Sequence, residues 1–147
     1  MIPEFESNGQ LPPGVHEASW EELETKCACN SQRKRLFAGL KRAARALKGA
    51  GCERLYLDGS FVTKKNVPAD FDGCWSVKGV DPLKLDPVLL EFANGRAAQK
   101  SKFFGELFPA DLTEGNSGKT WLDFFQLDKD TGVPKGVVTI DLKAEIP

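Results

Sequence analysis

The chain has a single histidine, His16. That scarcity excludes the common hydrolase arrangements. Neither a Ser-His-Asp nor a Cys-His set can be read from the sequence, because the one imidazole lies in a Pro- and Gly-rich opening stretch without an evident base partner. Cysteine is sparse too. Cys27 and Cys29 are separated by one residue, closer than the C-x-x-C spacing of a zinc knuckle, and Cys52 and Cys74 stand alone. An excess of charge of either sign is missing, with 20 basic against 21 acidic residues, so bulk charge points to no class of partner. No apolar run approaches the roughly 20 residues of a membrane-spanning helix, and no repeat or low-complexity segment occurs. The first ten residues carry Glu4, Glu6, Pro3 and Gly9, which is unlike a charged-then-apolar signal peptide. The expectation is a cytoplasmic protein with reduced thiols and no membrane partner.

The material for an ordinary core is present. At 41% hydrophobic residues over 147 positions, one domain can bury its own interior without metal or disulfide staples. Residues 1–18 read as an extended N-terminal arm with a turn at Asn8-Gly9, and residues 19–147 as a single domain. Ser19-Trp20-Glu21-Glu22 fits a capping box opening a short acidic helix to about Cys27. Leu36, Leu40, Ala43, Ala44 and Leu47 recur at helical spacing between a cap at Asn30 or Ser31 and the stop at Gly49 and Gly51. That helix carries Arg33, Lys34, Arg35, Lys41, Arg42, Arg45 and Lys48. The cluster reads either as a solvated outer face or as a phosphate- or RNA-facing surface.

Strands are expected at Arg54–Asp58, Phe71–Val77 and Glu106–Leu112. A helix start is expected at Asp86-Pro87, with Asn94-Gly95 dividing it from a second segment around Arg96 to Lys102. Trp121–Leu127 and Gly136–Leu142 read as two arms of a hairpin across Asp128-Lys129-Asp130-Thr131-Gly132. This order implies an α+β or α/β domain on one mixed sheet. The late aromatics Phe103, Phe104, Phe108, Trp121, Phe124 and Phe125 suit core packing, or else a base-stacking platform or partner surface. Tyr56 and Trp75 are expected to flank the working centre.

The chemistry concentrates between Asp58 and Asp72. A strand ends in Gly59-Ser60, nine residues follow, and a second strand carries Asp70 and Asp72 at i and i+2, on one face. Two neighbouring carboxylates repel at neutral pH unless something positive lies between them. A hard divalent cation with oxygen ligands, above all Mg²⁺ carrying nucleotide phosphates, meets that need. Glycine permits close backbone approach to a ligand, and a serine hydroxyl adds a donor. Lys64 and Lys65 lie between the two halves and are candidates for phosphate contact.

Gly-Ser, nine residues and Asp-Phe-Asp resemble the signature of the DNA polymerase beta-like nucleotidyltransferase superfamily, particularly its minimal members. The chain also resembles small bacterial nucleotidyltransferase-like proteins in Ile2-Pro3-Glu4-Phe5, Leu11-Pro12-Pro13-Gly14, Asp58-Gly59-Ser60-Phe61, Gly105-Glu106-Leu107-Phe108-Pro109 and Phe124-Phe125-Gln126. The resemblance implies an α+β, nucleotidyltransferase-like mixed sheet flanked by helices. It implies that Gly59 and Ser60 hold a triphosphate, that Asp70 and Asp72 ligate Mg²⁺ or Mn²⁺, and that a third carboxylate activates the acceptor hydroxyl. Glu106 is the first choice for that third group, followed by Asp111 and Asp141. The implied reaction moves a nucleoside monophosphate from an NTP to a hydroxyl of tRNA or protein, in some relatives as half of a toxin-antitoxin pair with a cognate partner protein. A catalytically inactive nucleotide- or protein-binding module is the alternative.

Overall fold

The computed structural model describes residues 1–147 as five strands and four helices. In chain order these are β1 (Gly14–Glu17), α1 (Trp20–Cys27), α2 (Ser31–Gly49), β2 (Arg54–Asp58), β3 (Phe71–Trp75), α3 (Ala93–Phe103), β4 (Gly105–Pro109), α4 (Trp121–Phe125) and β5 (Gly136–Asp141). The strands form one mixed sheet in the order β1-β5-β2-β3-β4. β5 runs parallel to β1 and antiparallel to β2, β2 is antiparallel to β3, and β3 is parallel to β4. The domain is therefore α+β on a single mixed sheet.

Alternation along the strands divides the sheet into two unlike faces. Leu55, Leu57, Phe71, Trp75, Leu107 and Ile140 point to one side, where α1, α2 and the end of α3 cover them in a cluster of 28 buried residues. The apolar stripe of α2 (Leu36, Leu40, Ala43, Ala44, Leu47) is fully buried there, as its spacing requires. Asn30 caps α2 by accepting from the Arg33 amide at 2.9 Å. Ser19 and Glu22 complete the capping box of α1. The opposite face carries Tyr56, Asp58, Asp72, Cys74, Glu106 and Phe108. It is covered only in part, by α4.

Several expectations are corrected. Residues 1–18, expected as an extended arm, pack onto the domain: Gly14–Glu17 is an edge strand of the sheet, and Ile2 and Leu11 are buried in the core. Backbone amides seek partners, and the open edge of β5 supplies them. Of the expected hairpin arm Trp121–Leu127, Trp121–Phe125 is the short helix α4, capped by Thr120, which accepts from the Asp123 amide at 3.2 Å, and only the end of the arm pairs back across the turn, Leu127 with Pro134. As a helix it sets Trp121, Leu122 and Phe125 together against Cys74, Phe108 and Ala110, an apolar patch that an extended strand could not cover. β5, freed from that pairing, becomes an interior strand with Val137 through Ile140 buried. β4 stops at Pro109, short of Leu112, which is exposed. β3 ends at Trp75 rather than Val77. Asp86-Pro87 opens a single 3-10 turn, Pro87–Leu90, and α3 starts through a left-handed stretch with Asn94, Gly95 and Arg96 at φ 53°, 64° and 62°.

Candidate active site

Three strands carry three acids in one row. Asp58 on β2 pairs in register with Asp72 on β3, and Asp72 pairs with Glu106 on β4. Registered neighbours point to the same side of a sheet, so all three carboxyls lie on the open face. Asp70, just before β3, joins them. One carboxylate oxygen from each of Asp70, Asp72 and Glu106 lies within 4.8 Å of the others. Of the three candidates for the third carboxylate, only Glu106 reaches this cluster. Asp111 instead accepts from the Val77 amide at 3.0 Å, and Asp141 sits beside Arg54 at the far end of the sheet.

Gly59 closes one side. Its φ of 75° suits glycine, and a Cβ there would lie 2.3 Å from an Asp72 carboxylate oxygen. The glycine thus lets the Gly59-Ser60 backbone touch the acid row directly. Gly59, Ser60, Lys64, Lys65, Asp72 and Glu106 line one cleft of about 1120 Å³, together with Asp58, Arg96 and the aromatics of α4. The sequence-predicted residues are therefore brought together, Asp70 at the margin.

The loop between the two halves is fixed from behind. Arg33, read from sequence as part of a basic surface, is almost wholly buried. Its guanidinium donates to the carbonyls of Cys27 (3.0 Å), Phe61 (2.6 Å), Ser60 (3.2 Å), Thr63 (2.8 Å) and Lys65 (2.5 Å). A buried cation with carbonyl partners alone is unusual, and here it pins the loop that approaches the acids. The rest of the basic helix lies behind the sheet, away from the cleft. Arg42 donates to the Lys102 carbonyl, Lys48 to that of Ala144 and Arg45 to that of Pro147, while Arg35 lies 3.9 Å over the Phe104 ring.

The electrostatics of the row are lopsided. Burial pushes Asp72 up to about 8, helped by its hydrogen bond to Glu106 and the negative charges of Asp70, Glu106 and Asp58. Burial acts on Glu106 in the same direction, but the hydrogen bonds from Asp72 and Arg96, with the charges of Arg96 and Lys100, outweigh it and hold Glu106 below the usual range. The two carboxyls share a hydrogen bond and are driven in opposite directions, Asp72 up and Glu106 down. Asp70 is raised by burial and by Glu106, and Asp58 by burial against the pull of Lys135, 2.9 Å away. Glu106 is met by Arg96 at 2.7 Å and by Lys100 at 3.5 Å. Burial first, and its acidic neighbours second, raise Asp72 well above the usual carboxylate range. An all-oxygen donor set of that kind fits Mg²⁺ or Mn²⁺.

Sequence reasoning missed three residues here. Asp58 was read as the start of the working centre, on one side of its strand with Tyr56, but was given no role of its own. Lys135 reaches Asp58 from the segment before β5, a contact no local pattern announces. Arg33 carried no signal that separated it from its basic neighbours. Trp75, expected beside the centre, points to the other face into the core, and only Tyr56 shares the open side. His16 is spent on the turn, its Nε2–H donating to the Pro12 carbonyl at 2.6 Å.

No helix is long and apolar enough to cross a membrane. No curated protein and no solved structure matches the chain. A family model described as a family of unknown function (DUF6932) matches residues 3–141, nearly the full length, and the chain belongs to that family.

Proposed function

We propose that the protein is a metal-dependent nucleotidyltransferase that moves a nucleoside monophosphate from a nucleoside triphosphate to an acceptor hydroxyl. The observation that carries this reading is the meeting of Asp70, Asp72 and Glu106 within 4.8 Å, with Asp72 and Glu106 lining the cleft that Gly59 and Ser60 also line. The mixed sheet, with its Gly-Ser bend facing paired acids on the next strand, supports a nucleotidyltransferase-like fold.

Asp70 and Asp72 would hold Mg²⁺ or Mn²⁺, with Glu106 completing the donor set. The bound cation supplies charge neutralisation for the polyphosphate and for the pyrophosphate that leaves. Gly59 and Ser60, backed by Lys64 and Lys65, hold the phosphates. Arg33 keeps that loop in place without touching the ligand. Glu106, the ionised member of its pair, takes the proton of the acceptor hydroxyl as the new O–P bond forms and the bond to pyrophosphate breaks. The acceptor is a hydroxyl of RNA (tRNA among them) or of protein. Because the basic helix lies behind the sheet, an RNA acceptor would have to enter past Lys64, Lys65 and Lys129 at the cleft rim.

The test is transfer of labelled nucleotide by wild type and by the Asp70→Asn/Asp72→Asn double variant. Wild type should transfer in Mg²⁺ and lose activity in EDTA, and the double variant should be inactive while folded. Equal transfer by both proteins refutes the assignment. A second reading, a nucleotide-binding module without turnover, is favoured by two contacts: Arg96 and Lys100 already neutralise Glu106. It predicts Mg²⁺-dependent stabilisation by NTPs with no transfer to any acceptor.

A further inference from the structure

The open face of the sheet has a second row, one step along from the acids. Tyr56, Cys74 and Phe108 pair in register across β2, β3 and β4, as Asp58, Asp72 and Glu106 do. Phe108 is two residues beyond Glu106 on β4, so its ring stands about 7 Å along the same face. On it the protein builds a wall of rings. Trp121 stacks on Phe108 with centroids 3.9 Å apart and planes 12° apart, and Phe92 lies parallel to Phe108 at 5.7 Å and 8°. Phe124 and Phe125 of α4 complete it edge-on or tilted. Of the five rings only Phe108 is buried. The buried part of this cluster is only Cys74, Phe108 and Ala110, no residue of α4 is fully buried, and Phe92 is 39% exposed. All five line the same cleft as Asp58, Asp72 and Glu106. Arg96 joins the two ends, its guanidinium on Glu106 and 5.7 Å from the Phe108 ring.

We propose that this wall is the seat of the nucleobase of the bound nucleoside triphosphate. The proposal rests on the nucleotide reading of the acid row and adds to it where the base goes. A ligand whose polyphosphate sits on a cation at Asp70 and Asp72 presents its sugar and base to whatever adjoins that row on the same face, and Phe108 with its stacked neighbours is what adjoins it. A flat π surface accepts any base, since every base has a π face. The site should therefore rank purines above pyrimidines by stacking area, with little distinction between ATP and GTP.

The experiment compares inorganic tripolyphosphate with ATP, GTP, CTP and UTP by calorimetry in Mg²⁺. Tripolyphosphate reads the phosphate and metal half alone, and the gain of an NTP over it reads the wall. Wild type should bind ATP about tenfold or more tighter than tripolyphosphate. A Trp121→Ala/Phe124→Ala variant should lose most of that gain while tripolyphosphate affinity holds, which also shows that the variant is folded. Trp121→Phe should keep the gain. Of the three tryptophans Trp20 and Trp75 are buried and Trp121 is not, so ATP but not tripolyphosphate should quench the fluorescence of wild type, and Trp121→Phe should abolish that quench. Equal affinity of wild type for ATP and tripolyphosphate overturns the wall as a base site and leaves the phosphate site standing. Failure of both ligands to bind overturns the two together.

Discussion

The two faces of the sheet are built on opposite terms. Behind it, 28 buried residues from the helices and strands form one continuous core, whereas in front only Cys74, Phe108 and Ala110 are buried as an apolar cluster. The front face instead holds four acids in or beside a row, one of them raised well above the usual carboxylate range. A core of that size is what a chain of this length needs to be stable. The front face contributes little of it and includes groups whose burial is costly. Such an arrangement is intelligible when the front face is kept for a ligand that neutralises it. Arg33 connects the two. It springs from α2 on the core side and holds the carbonyls of the loop that faces the acids.

If that division holds, the largest effect belongs to the residue that links the faces. Arg33→Met leaves five carbonyls without their donor. Each buried, unsatisfied acceptor costs about 1–3 kcal/mol, and partial release of the loop into water limits the total to about 3–5 kcal/mol. Urea denaturation should show that loss, and the surviving folded fraction should no longer be stabilised by NTP and Mg²⁺. A midpoint unchanged from wild type would break the comparison, because the loop would then need no tie to the core.

Next comes a contrast between the faces themselves. Leu57→Ala, on the core side of β2, should cost about 2–5 kcal/mol, the usual range for a large-to-small change at a fully buried site. Asp72→Asn, on the open side of the adjacent strand, should cost nothing and should raise the melting temperature at pH 8. The pH profile sharpens this. Asp72 holds its proton up to about 8 when folded but only to about 4 when unfolded, so between those values the folded state binds the extra proton. In the absence of metal, stability therefore falls as pH rises through that window and levels off above it. Asp72→Asn should flatten the slope, and saturating Mg²⁺ should offset it in wild type by taking the place of the proton. A slope of equal size in wild type and Asp72→Asn would mean that the acids are not the cost of the open face.

How much of this was legible in the sequence follows the same division. The core side announces itself locally: the α2 stripe, the Leu55–Leu57 alternation and the Ser19 capping box are patterns within one element, and each formed where the spacing put it. The Gly59-Ser60 and Asp70-Phe71-Asp72 pieces were legible because they sit at the two ends of one connection between adjacent strands. What was not legible depends on distant partners. β1 exists because β5 offers a free edge more than 100 residues away. Trp121-Leu122-Asp123-Phe124-Phe125 has the composition of a strand, and five residues are too few for periodicity to decide against the patch it must cover. Arg33 differs from Lys34 and Arg35 only in what lies opposite it.

The smallest predicted effect asks whether the open face unfolds with the core or by itself. Asn30 and Thr120 are equivalent devices, each a side chain capping the first turn of a helix, one behind the sheet and one in front. Asn30→Ala should lower global stability by about 1 kcal/mol, and somewhat more because its side chain also donates to the Asn66 carbonyl at 2.7 Å. Thr120→Ala should barely move the urea midpoint. A five-residue helix with no fully buried residue opens well below the free energy of global unfolding, so its cap contributes to a local equilibrium. The loss should instead appear as faster hydrogen exchange at the amides of Phe124, Gln126 and Leu127, which bond back to Thr120, Asp123 and Phe124. If Thr120→Ala lowers global stability as much as Asn30→Ala does, α4 belongs to the cooperative core and the two faces are one unit.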